Sequence, residues 1–139
     1  RFSLDLDAGG HAWAGIIDRL ARLGDGTLRI IDYKTGKSVP DPRTDRQLQS
    51  YALHVFAEHP VDTVELCIEG LRTGATLTAP FALSQAAEVR GNLLARIAEI
   101  EAASSWPARP SMLCDWCGFN VICPEAGGRS RPGRRRTAW

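Results

Sequence analysis

The sequence lacks any apolar run that approaches the roughly 20 residues needed to span a bilayer, and it shows no secretory signal peptide. We therefore expect a protein that does not enter membranes and that is cytoplasmic. Disorder does not describe most of the chain, because 44% of its 139 residues are hydrophobic. That length is enough for one compact domain with an apolar core.

The net charge is also small, at +1, so the total charge does not indicate a nucleic-acid partner. The charge is unevenly distributed, however, since the last eleven residues contain five arginines and no acid. A tail of this kind binds phosphates or is simply a solvated end, and the sequence leaves both interpretations open. We expect residues 126–139 to form a basic, disordered tail, with its arginines at Arg129, Arg131, Arg134, Arg135 and Arg136.

The spacing of apolar residues predicts an α/β fold in which three strands, a helix, two strands and a second helix follow one another. Strands are expected over residues 2–6, 13–23, 27–34, 61–72 and 75–83, and helices over residues 44–58 and 84–103. Thr44 and Gln47 fit a capping box at the start of the first helix. Its buried stripe would be Leu48, Ala52 and Val55. This βββαββα order predicts a layered sheet with a small C-terminal appendage.

Three charged side chains are predicted to meet at one end of this sheet. Asp32 and Lys34 lie two residues apart in the third predicted strand, so they face the same side. Asp18 lies in the preceding strand, across a hairpin turn at Asp25-Gly26, and antiparallel pairing brings it beside Asp32. Two adjacent carboxylates repel, and a divalent cation such as Mg²⁺ or Mn²⁺ relieves that repulsion. A plain surface ion pair between Lys34 and Asp32 is the competing interpretation.

The motifs around these residues resemble the RecB-like and AddB-like branch of the PD-(D/E)XK nuclease superfamily. The resemblance is carried by Gly-Ile-Ile-Asp-Arg at residues 15–19, by Ile-Asp-Tyr-Lys-Thr-Gly-Lys at residues 31–37, and by Gln47-x3-Tyr51. It extends over nearly the whole chain, to about Pro124. It implies a restriction-endonuclease-like mixed sheet and Mg²⁺- or Mn²⁺-dependent hydrolysis of DNA in recombination or repair. A helicase domain or subunit is a further candidate partner.

The resemblance also implies a role for each motif residue. Asp18 and Asp32 would bind the catalytic metal, with the backbone carbonyl of Tyr33 as a third ligand. Lys34 would be the catalytic lysine, which positions or deprotonates the attacking water and offsets charge on the phosphate. The remaining motif residues would line the site and contact DNA; they are Arg19, Gln47 and Tyr51.

Each of those last three residues has a purely structural alternative. Gln47 is also the second member of the capping box, and Tyr51 is equally an ordinary half-buried aromatic residue. Arg19 is also interpretable as a solvent-facing arginine of a strand. Gln47 and Tyr51 lie four residues apart, so they share a helix face that differs from the apolar stripe. This separation of faces favours a role in the site.

The cysteines form the second strong motif. Cys114, Cys117 and Cys123 lie within ten residues and are followed by Pro124, which in a chain without a secretory signal is typical of metal ligation. A zinc site or a [4Fe-4S] cluster normally needs four ligands. The resemblance implies a [4Fe-4S] cluster whose fourth cysteine lies upstream of this sequence. Zinc ligation and free thiols are the alternatives, and Cys67 is expected to be a structural thiol.

The sequence departs from the family pattern at its start. The family has a helix before the first strand, with a histidine that binds the catalytic metal, and no such segment is present here. His11 is not that residue, and His54 and His59 are expected to be exposed. Since the sequence begins at Arg1 within a predicted strand, we expect a C-terminal fragment whose own activity is in doubt. Its parts would be a nuclease core over 1–110, an iron–sulfur segment over 111–125 and the tail.

Two functions of different classes remain open. The first is a metal-dependent DNA nuclease, expected to act as an exonuclease. The second is a catalytically silent DNA-binding scaffold held by its iron–sulfur or zinc site, and a zinc-stapled interaction module is a weaker third. The intact set of Asp18, Asp32 and Lys34 favours the nuclease, because a silent relative has no need to keep these charges together.

Overall fold

The structure, a computed structural model, describes residues 1–8, 10–120 and 122–126. The backbone separates into two units, of which the first comprises Arg1–Glu101 and the second begins at Ala102. The basic tail was predicted over residues 126–139, and residues 127–139 lie outside the described part of the chain. No helix in the described part of the chain has the length and apolar character needed to traverse a bilayer.

The described residues of the first unit form six strands in two sheets, two α-helices and a short 3₁₀ helix at Leu83–Gln85. Strands β1 (Phe2–Asp5) and β2 (Ala12–Gly15) form an antiparallel pair. The second sheet has the order β3 (Arg19–Arg22), β4 (Leu28–Lys34), β5 (Thr63–Gly70) and β6 (Thr76–Ala82). Its β4–β5 pair is parallel and its other pairs are antiparallel. The helices are α1 (Arg46–Glu58) and α2 (Ala86–Glu101). The prediction of an α/β fold with a mixed sheet is therefore confirmed.

The second predicted strand, however, is two strands that belong to different sheets. The chain leaves β2 after Gly15 and enters β3 only at Arg19, with a bend at Asp18 between them. β2 continues to pair with β1, whereas β3 pairs with β4. Strands that pass from one sheet to another commonly do so at a bend or bulge, and the bend at Asp18 is such a point. The observed order is thus ββββαββα.

Helix α1 provides the parallel connection between β4 and β5, as parallel neighbours require a crossover. Its N-cap is Asp45, whose Oδ1 accepts hydrogen bonds from the backbone N–H groups of Gln47 and Leu48. The predicted capping box with Thr44 was therefore wrong by one residue. The Thr44 hydroxyl instead donates to the backbone carbonyl of Asp41. Both residue types are favoured at N-caps, so the sequence alone did not decide between them.

The core lies between α1 and the sheets, on the face of β4 that carries Leu28 and Ile30. The predicted stripe of Leu48, Ala52 and Val55 is fully buried there, which confirms that face of the helix. Phe2 brings β1 into the same core and packs edge-on against Tyr51, with ring centroids 5.6 Å apart. A second ring contact of Phe2, with His54, corrects the prediction made for that histidine from the sequence.

His54 is partly buried, so the prediction that it is exposed was wrong. Its ring stacks on Phe2 with centroids 4.5 Å apart, and its Nδ1 is buried without a hydrogen bond among the described residues. His59, at the C-cap of α1, is half-buried. The position of His54 was not recognisable as packed from helical spacing, because its packing partner Phe2 lies in the distant strand β1.

The second unit contains a short 3₁₀ helix at Met112–Trp116 and another at Pro124–Ala126. Ser111 caps the first of these through a hydrogen bond from the backbone N–H of Leu113 to its hydroxyl. Large apolar side chains in this unit are mostly exposed: Trp106, Met112, Leu113, Trp116, Phe119 and Ile122.

Candidate active site

The candidate site is built at the C-terminal end of the central strand β4. Side chains alternate along a strand, so Asp32 and Lys34 point to the same face as Leu28 and Ile30, the face that α1 covers. Asp32 is only 4% exposed. A buried carboxylate on the core face is costly unless it is paired, so its partners define the site.

Lys34 is the partner closest to that carboxylate. Its Nζ lies 2.7 Å from Oδ2 of Asp32. This short ion pair is the polar contact of the buried Oδ2, which has no further hydrogen-bond donor among the described residues. Contact with Asp32 raises the pKa of Lys34, and the negative charges of Asp32, Asp45 and Asp18 add to that effect while partial burial opposes it. The amine is therefore a cation at neutral pH.

Asp18 joins the site from the bend that precedes β3. Its Oδ2 accepts a hydrogen bond of 3.0 Å from the backbone N–H of Tyr33, the residue between Asp32 and Lys34. The backbone ladder of β3 and β4 is paired as far as Arg19 and Ile31. Beyond that pair, the carboxylate of Asp18, the residue before Arg19, accepts the N–H of Tyr33, two residues after Ile31. The structure thus brings together the three residues that the sequence singled out, although Asp18 lies at a bend and not within a strand.

Gln47 and Tyr51 extend the site along α1. The Nζ of Lys34 donates to Oε1 of Gln47 at 3.2 Å, and the Nε2 of Gln47 donates to the hydroxyl of Tyr51 at 2.6 Å. Gln47 is exposed, whereas Tyr51 is buried at 5% exposure. A chain of hydrogen bonds therefore connects the lysine to the core. The geometry allows Gln47 to meet a substrate directly, and it makes Tyr51 the support of Gln47.

Arg19 is not brought to the site. It pairs with Ile31 across the β3–β4 ladder, so it lies on the face of the sheet opposite Asp32 and Lys34. There its guanidinium contacts the side chain of Tyr33, which raises the pKa of Arg19, with a smaller contribution from the charge of Glu69. The side chain of Tyr33 likewise faces away from the site.

One acidic residue of the site was not recognised in the sequence. Asp45, the N-cap of α1, places its Oδ2 4.0 Å from Nζ of Lys34. Its side chain is 13% exposed. An N-cap aspartate is common in proteins, so the residue type carried no functional signal. Its position beside Lys34 follows from the way the first turn of α1 packs over the end of β4.

A groove of about 830 Å³ adjoins the site. It runs between β2, α1 and α2, and both Gln47 and Tyr51 line it. Two arginines, Arg46 and Arg96, also line the groove, and Arg96 forms an ion pair of 2.6 Å with Glu99. The groove gives the exposed end of Gln47 access to a ligand that approaches along the helices.

Two carboxylates of the site, with a backbone carbonyl between them, offer oxygen donors of the kind that a divalent cation prefers. Three carboxylates, from Asp18, Asp32 and Asp45, influence a single ammonium group, so the cluster has excess negative charge. The buried Oδ2 of Asp32 has no partner besides the ammonium group of Lys34 among the described residues. Hard oxygen donors of this kind are the ligands that Mg²⁺ and Mn²⁺ prefer. Asp18 and Asp32 would hold such an ion, with the carbonyl of Tyr33 as the third donor predicted from the sequence.

The cysteines form no metal site among the described residues. In those ranges no three His, Cys, Asp or Glu side chains form a group that could hold a metal ion, and this is true of the cysteines as it is of the aspartates of the site, where only two carboxylates and a backbone carbonyl are candidate donors. Cys114, Cys117 and Cys123 are free, and Sγ of Cys114 accepts a hydrogen bond from the backbone N–H of Ser111. The structure therefore lends no support to the iron–sulfur prediction. Cys67 is fully buried, and burial raises the pKa of its thiol, as expected for a structural cysteine.

From the sequence, His11 was predicted not to be the metal-binding histidine of the family. In the structure His11 contacts two acidic residues, Asp7 and Glu101. Its Nδ1 is 2.6 Å from Oδ2 of Asp7, and its Nε2 is 3.1 Å from Oε1 of Glu101. These contacts connect the turn between β1 and β2 to the end of α2. Hydrogen bonds to Asp7 and then to Glu101 raise the pKa of His11, and the contact with His11 lowers the pKa of Asp7.

The chain is similar in sequence to proteins of a known family. Residues 2–124 match the family described as the PD-(D/E)XK nuclease superfamily. The chain belongs to this superfamily. It is also similar to the Gene 69 protein of Mycobacterium phage L5, with 34% identity over 131 residues. The match covers 88% of this chain and 42% of that protein, so the chain spans less than half the length of this relative. No solved structure matches the chain.

Proposed function

We propose that the site hydrolyses phosphodiester bonds in DNA with the help of Mg²⁺ or Mn²⁺, as a RecB-like nuclease. The observation that carries the proposal is the buried Asp32 carboxylate in contact with Lys34, with Asp18 hydrogen-bonded to the intervening backbone. Membership of a nuclease superfamily supports the reaction class. The RecB-like motifs support an exonuclease that acts in recombination or repair, in the cytoplasm, with a helicase domain or subunit as partner.

In this proposal each residue has a defined task. Asp18 and Asp32 hold the divalent ion, which when bound supplies a strong positive charge for water activation and for the phosphate. Lys34 carries a second positive charge to the phosphate, and its amine orients the attacking water. Gln47 holds Lys34 and presents its amide to the substrate. The groove beside Gln47 provides room for the strand, with Arg46 available for phosphate contacts.

The test uses the intact protein with end-labelled linear DNA, closed circular DNA and RNA of the same sequence. We expect cleavage of linear DNA with Mg²⁺ or Mn²⁺, and none after chelation by EDTA. Asp32→Ala and Lys34→Ala should each reduce the rate by at least about 100-fold, since each removes a group that contacts the reacting centre. Asp62→Ala is the matched control. It removes an exposed acid just before β5, at the end of that strand away from the site.

Cleavage that survives EDTA, or that survives both substitutions, would contradict the mechanism. DNA binding without metal-dependent cleavage would favour the silent scaffold. Cutting of closed circles would identify an endonuclease. The iron–sulfur prediction has a separate test, because a [4Fe-4S] cluster absorbs broadly near about 400 nm and zinc does not. Protein purified anaerobically without that absorption would exclude the cluster.

A further inference from the structure

Asp45 has a bonding pattern that divides its carboxylate between two tasks. Its Oδ1 accepts the N–H groups of Gln47 and Leu48 at 2.9 and 3.0 Å. Its Oδ2 faces Lys34, 4.0 Å from Nζ. A serine or threonine N-cap would satisfy the helix equally well but has no second oxygen to present. The second oxygen is therefore available to act on the lysine.

Lys34 has three polar neighbours, of which two belong to the first turn of α1 or its cap. Asp32 is in contact at 2.7 Å, Gln47 accepts at 3.2 Å and Asp45 lies at 4.0 Å. A lysine side chain has four rotatable methylene groups, so its ammonium remains in place only while these neighbours retain it. Asp45 caps α1 and Gln47 lies in its first turn, so the helix backbone fixes where both side chains begin.

The neighbours differ in what a bound cation does to them. Asp32 is a proposed ligand of the metal, and a carboxylate that binds a divalent ion attracts an ammonium group less strongly. The ion also repels the ammonium directly. Asp45 uses Oδ1 for the helix, so it is not drawn into the metal site, and its charge remains available to Lys34 whether or not the ion is present.

We infer that Asp45 is a positioning residue that retains Lys34 at the site when Asp32 binds the metal ion. The inference rests on the proposed function, because it assigns Asp45 a task in that same site. Asp45 itself touches neither substrate nor metal. It acts through Lys34, and this dependence distinguishes it from an ordinary helix cap. The pKa of Lys34 is raised partly by the charge of Asp45, which is consistent with this coupling.

The informative variant is Asp45→Asn in the intact protein. Asparagine caps a helix as well as aspartate does, so Oδ1 still accepts the two N–H groups while the negative charge is lost. We expect the melting temperature without metal to stay within about 2 °C of the wild type. The kcat for DNA cleavage should fall about tenfold, because the substitution affects Lys34, which acts on the reacting centre. KM should change little, because Asp45 does not bind substrate. Asp45→Ser, which also caps without a charge, should behave in the same way.

A second readout does not depend on activity. Binding of Mn²⁺ is measured by titration calorimetry in a double-mutant cycle of Asp45→Asn and Lys34→Met. With Lys34 present, loss of Asp45 should weaken Mn²⁺ binding by about tenfold, since the ammonium then competes for Asp32 without an alternative partner. With Met at position 34, the same substitution should change binding by less than about threefold. Glu58→Gln removes one acid from the last residue of α1 and should leave kcat and Mn²⁺ binding unchanged.

The possible outcomes separate the inference from the proposed function. Equal changes in Mn²⁺ binding with Lys34 and with Met at position 34 would mean that Asp45 acts on the ion directly through its charge, which overturns the inference. An unchanged kcat in Asp45→Asn would mean that Asp45 has no role in catalysis, which overturns it as well. A kcat loss that merely follows a fall in melting temperature would reduce Asp45 to a cap and overturn it too. If the wild type cleaves no DNA with metal, the proposed function fails, while the Mn²⁺ cycle still decides whether Asp45 holds Lys34.

Discussion

The carboxylate of Asp18 accepts the backbone N–H of Tyr33 at 3.0 Å, at the point where the ladder between β3 and β4 ends. A side chain thereby replaces a backbone carbonyl as the acceptor for the central strand. This bond fixes Asp18 beside the residue that precedes Tyr33, which is Asp32. The bend at Asp18 is therefore part of how the site is built, and it can be tested by substitutions that separate the hydrogen bond from the charge.

Asp18→Asn retains an oxygen that accepts the N–H of Tyr33, whereas Asp18→Ala removes it. We expect Asn to leave the free energy of unfolding within about 0.5 kcal/mol of the wild type and Ala to lower it by about 1 kcal/mol. Both should abolish metal-dependent cleavage, because both remove the ionised carboxylate. Urea denaturation and a cleavage assay provide the two measurements. An active Asn variant would show that Asp18 is structural and not a metal ligand.

Tyr51→Phe tests whether Tyr51 acts on DNA or through Gln47. The substitution removes the hydroxyl that accepts from Gln47 and keeps the ring in the core. We expect a loss of about 0.5–1.5 kcal/mol in the free energy of unfolding, since one hydrogen bond is lost. The kcat should fall several-fold with KM unchanged, as Gln47 then holds Lys34 less firmly.

A rise in KM for DNA without a change in kcat would instead mean that the Tyr51 hydroxyl binds substrate. Gln49→Ala is the control on the same helix. It removes a hydrogen bond to the backbone carbonyl of Arg43 and has no link to Lys34.

Gly15→Ala should disturb the site from a distance. A Cβ at Gly15 would lie 2.8 Å from the ring of Phe2 and 3.0 Å from Cε1 of Tyr51, which is closer than packed carbon atoms approach. Overpacking of this kind costs about 1–3 kcal/mol, and displacement of Tyr51 would loosen Gln47. Thermal melts and cleavage rates should both decrease.

The matched control for that substitution is Gly91→Ala. Gly91 lies within α2, and nothing lies within 4 Å of an added Cβ. Alanine is the better helix former, so this variant should be more stable by about 0.5–1 kcal/mol. Equal stability of the two variants would show that the Phe2 and Tyr51 rings adapt without strain.

The contact of His11 with Asp7 and Glu101 should make stability depend on pH. The pKa of His11 is raised above its ordinary value of 6.5, so its contribution is complete below that value and is lost as pH rises through the folded-state pKa. The pKa of Asp7 is lowered from 3.8, so its contribution is present above 3.8 and is lost as pH falls through the folded-state pKa. Between about 3.8 and 6.5 both contributions are present.

Thermal melts at several pH values between 5.5 and 9 therefore provide the measurement, at about physiological salt, where exposed charges are still partly screened. The wild type should become less stable as pH rises through the upper part of this range, and His11→Asn should lose that dependence. His59→Gln is the control and should keep it. If His11→Asn keeps the same slope as the wild type, the histidine contact does not contribute to stability.

Several features were predictable from the sequence because they depend on neighbours along the chain. Strand alternation placed Asp32 and Lys34 on one face, and the spacing of Leu48, Ala52 and Val55 identified the buried side of α1. Both arguments use only the geometry of a regular element. The motifs likewise indicated the superfamily to which the chain belongs.

Other features were decided only when distant elements packed together. The break between β2 and β3 follows from their pairing with different strands, and the position of His54 follows from contact with Phe2. The sequence predicted Thr44 as the cap of α1 where the structure has Asp45, and it contained no sign that Asp45 lies 4.0 Å from Lys34. Local geometry determines which side of an element a residue occupies, whereas its partners across the fold depend on how those elements pack.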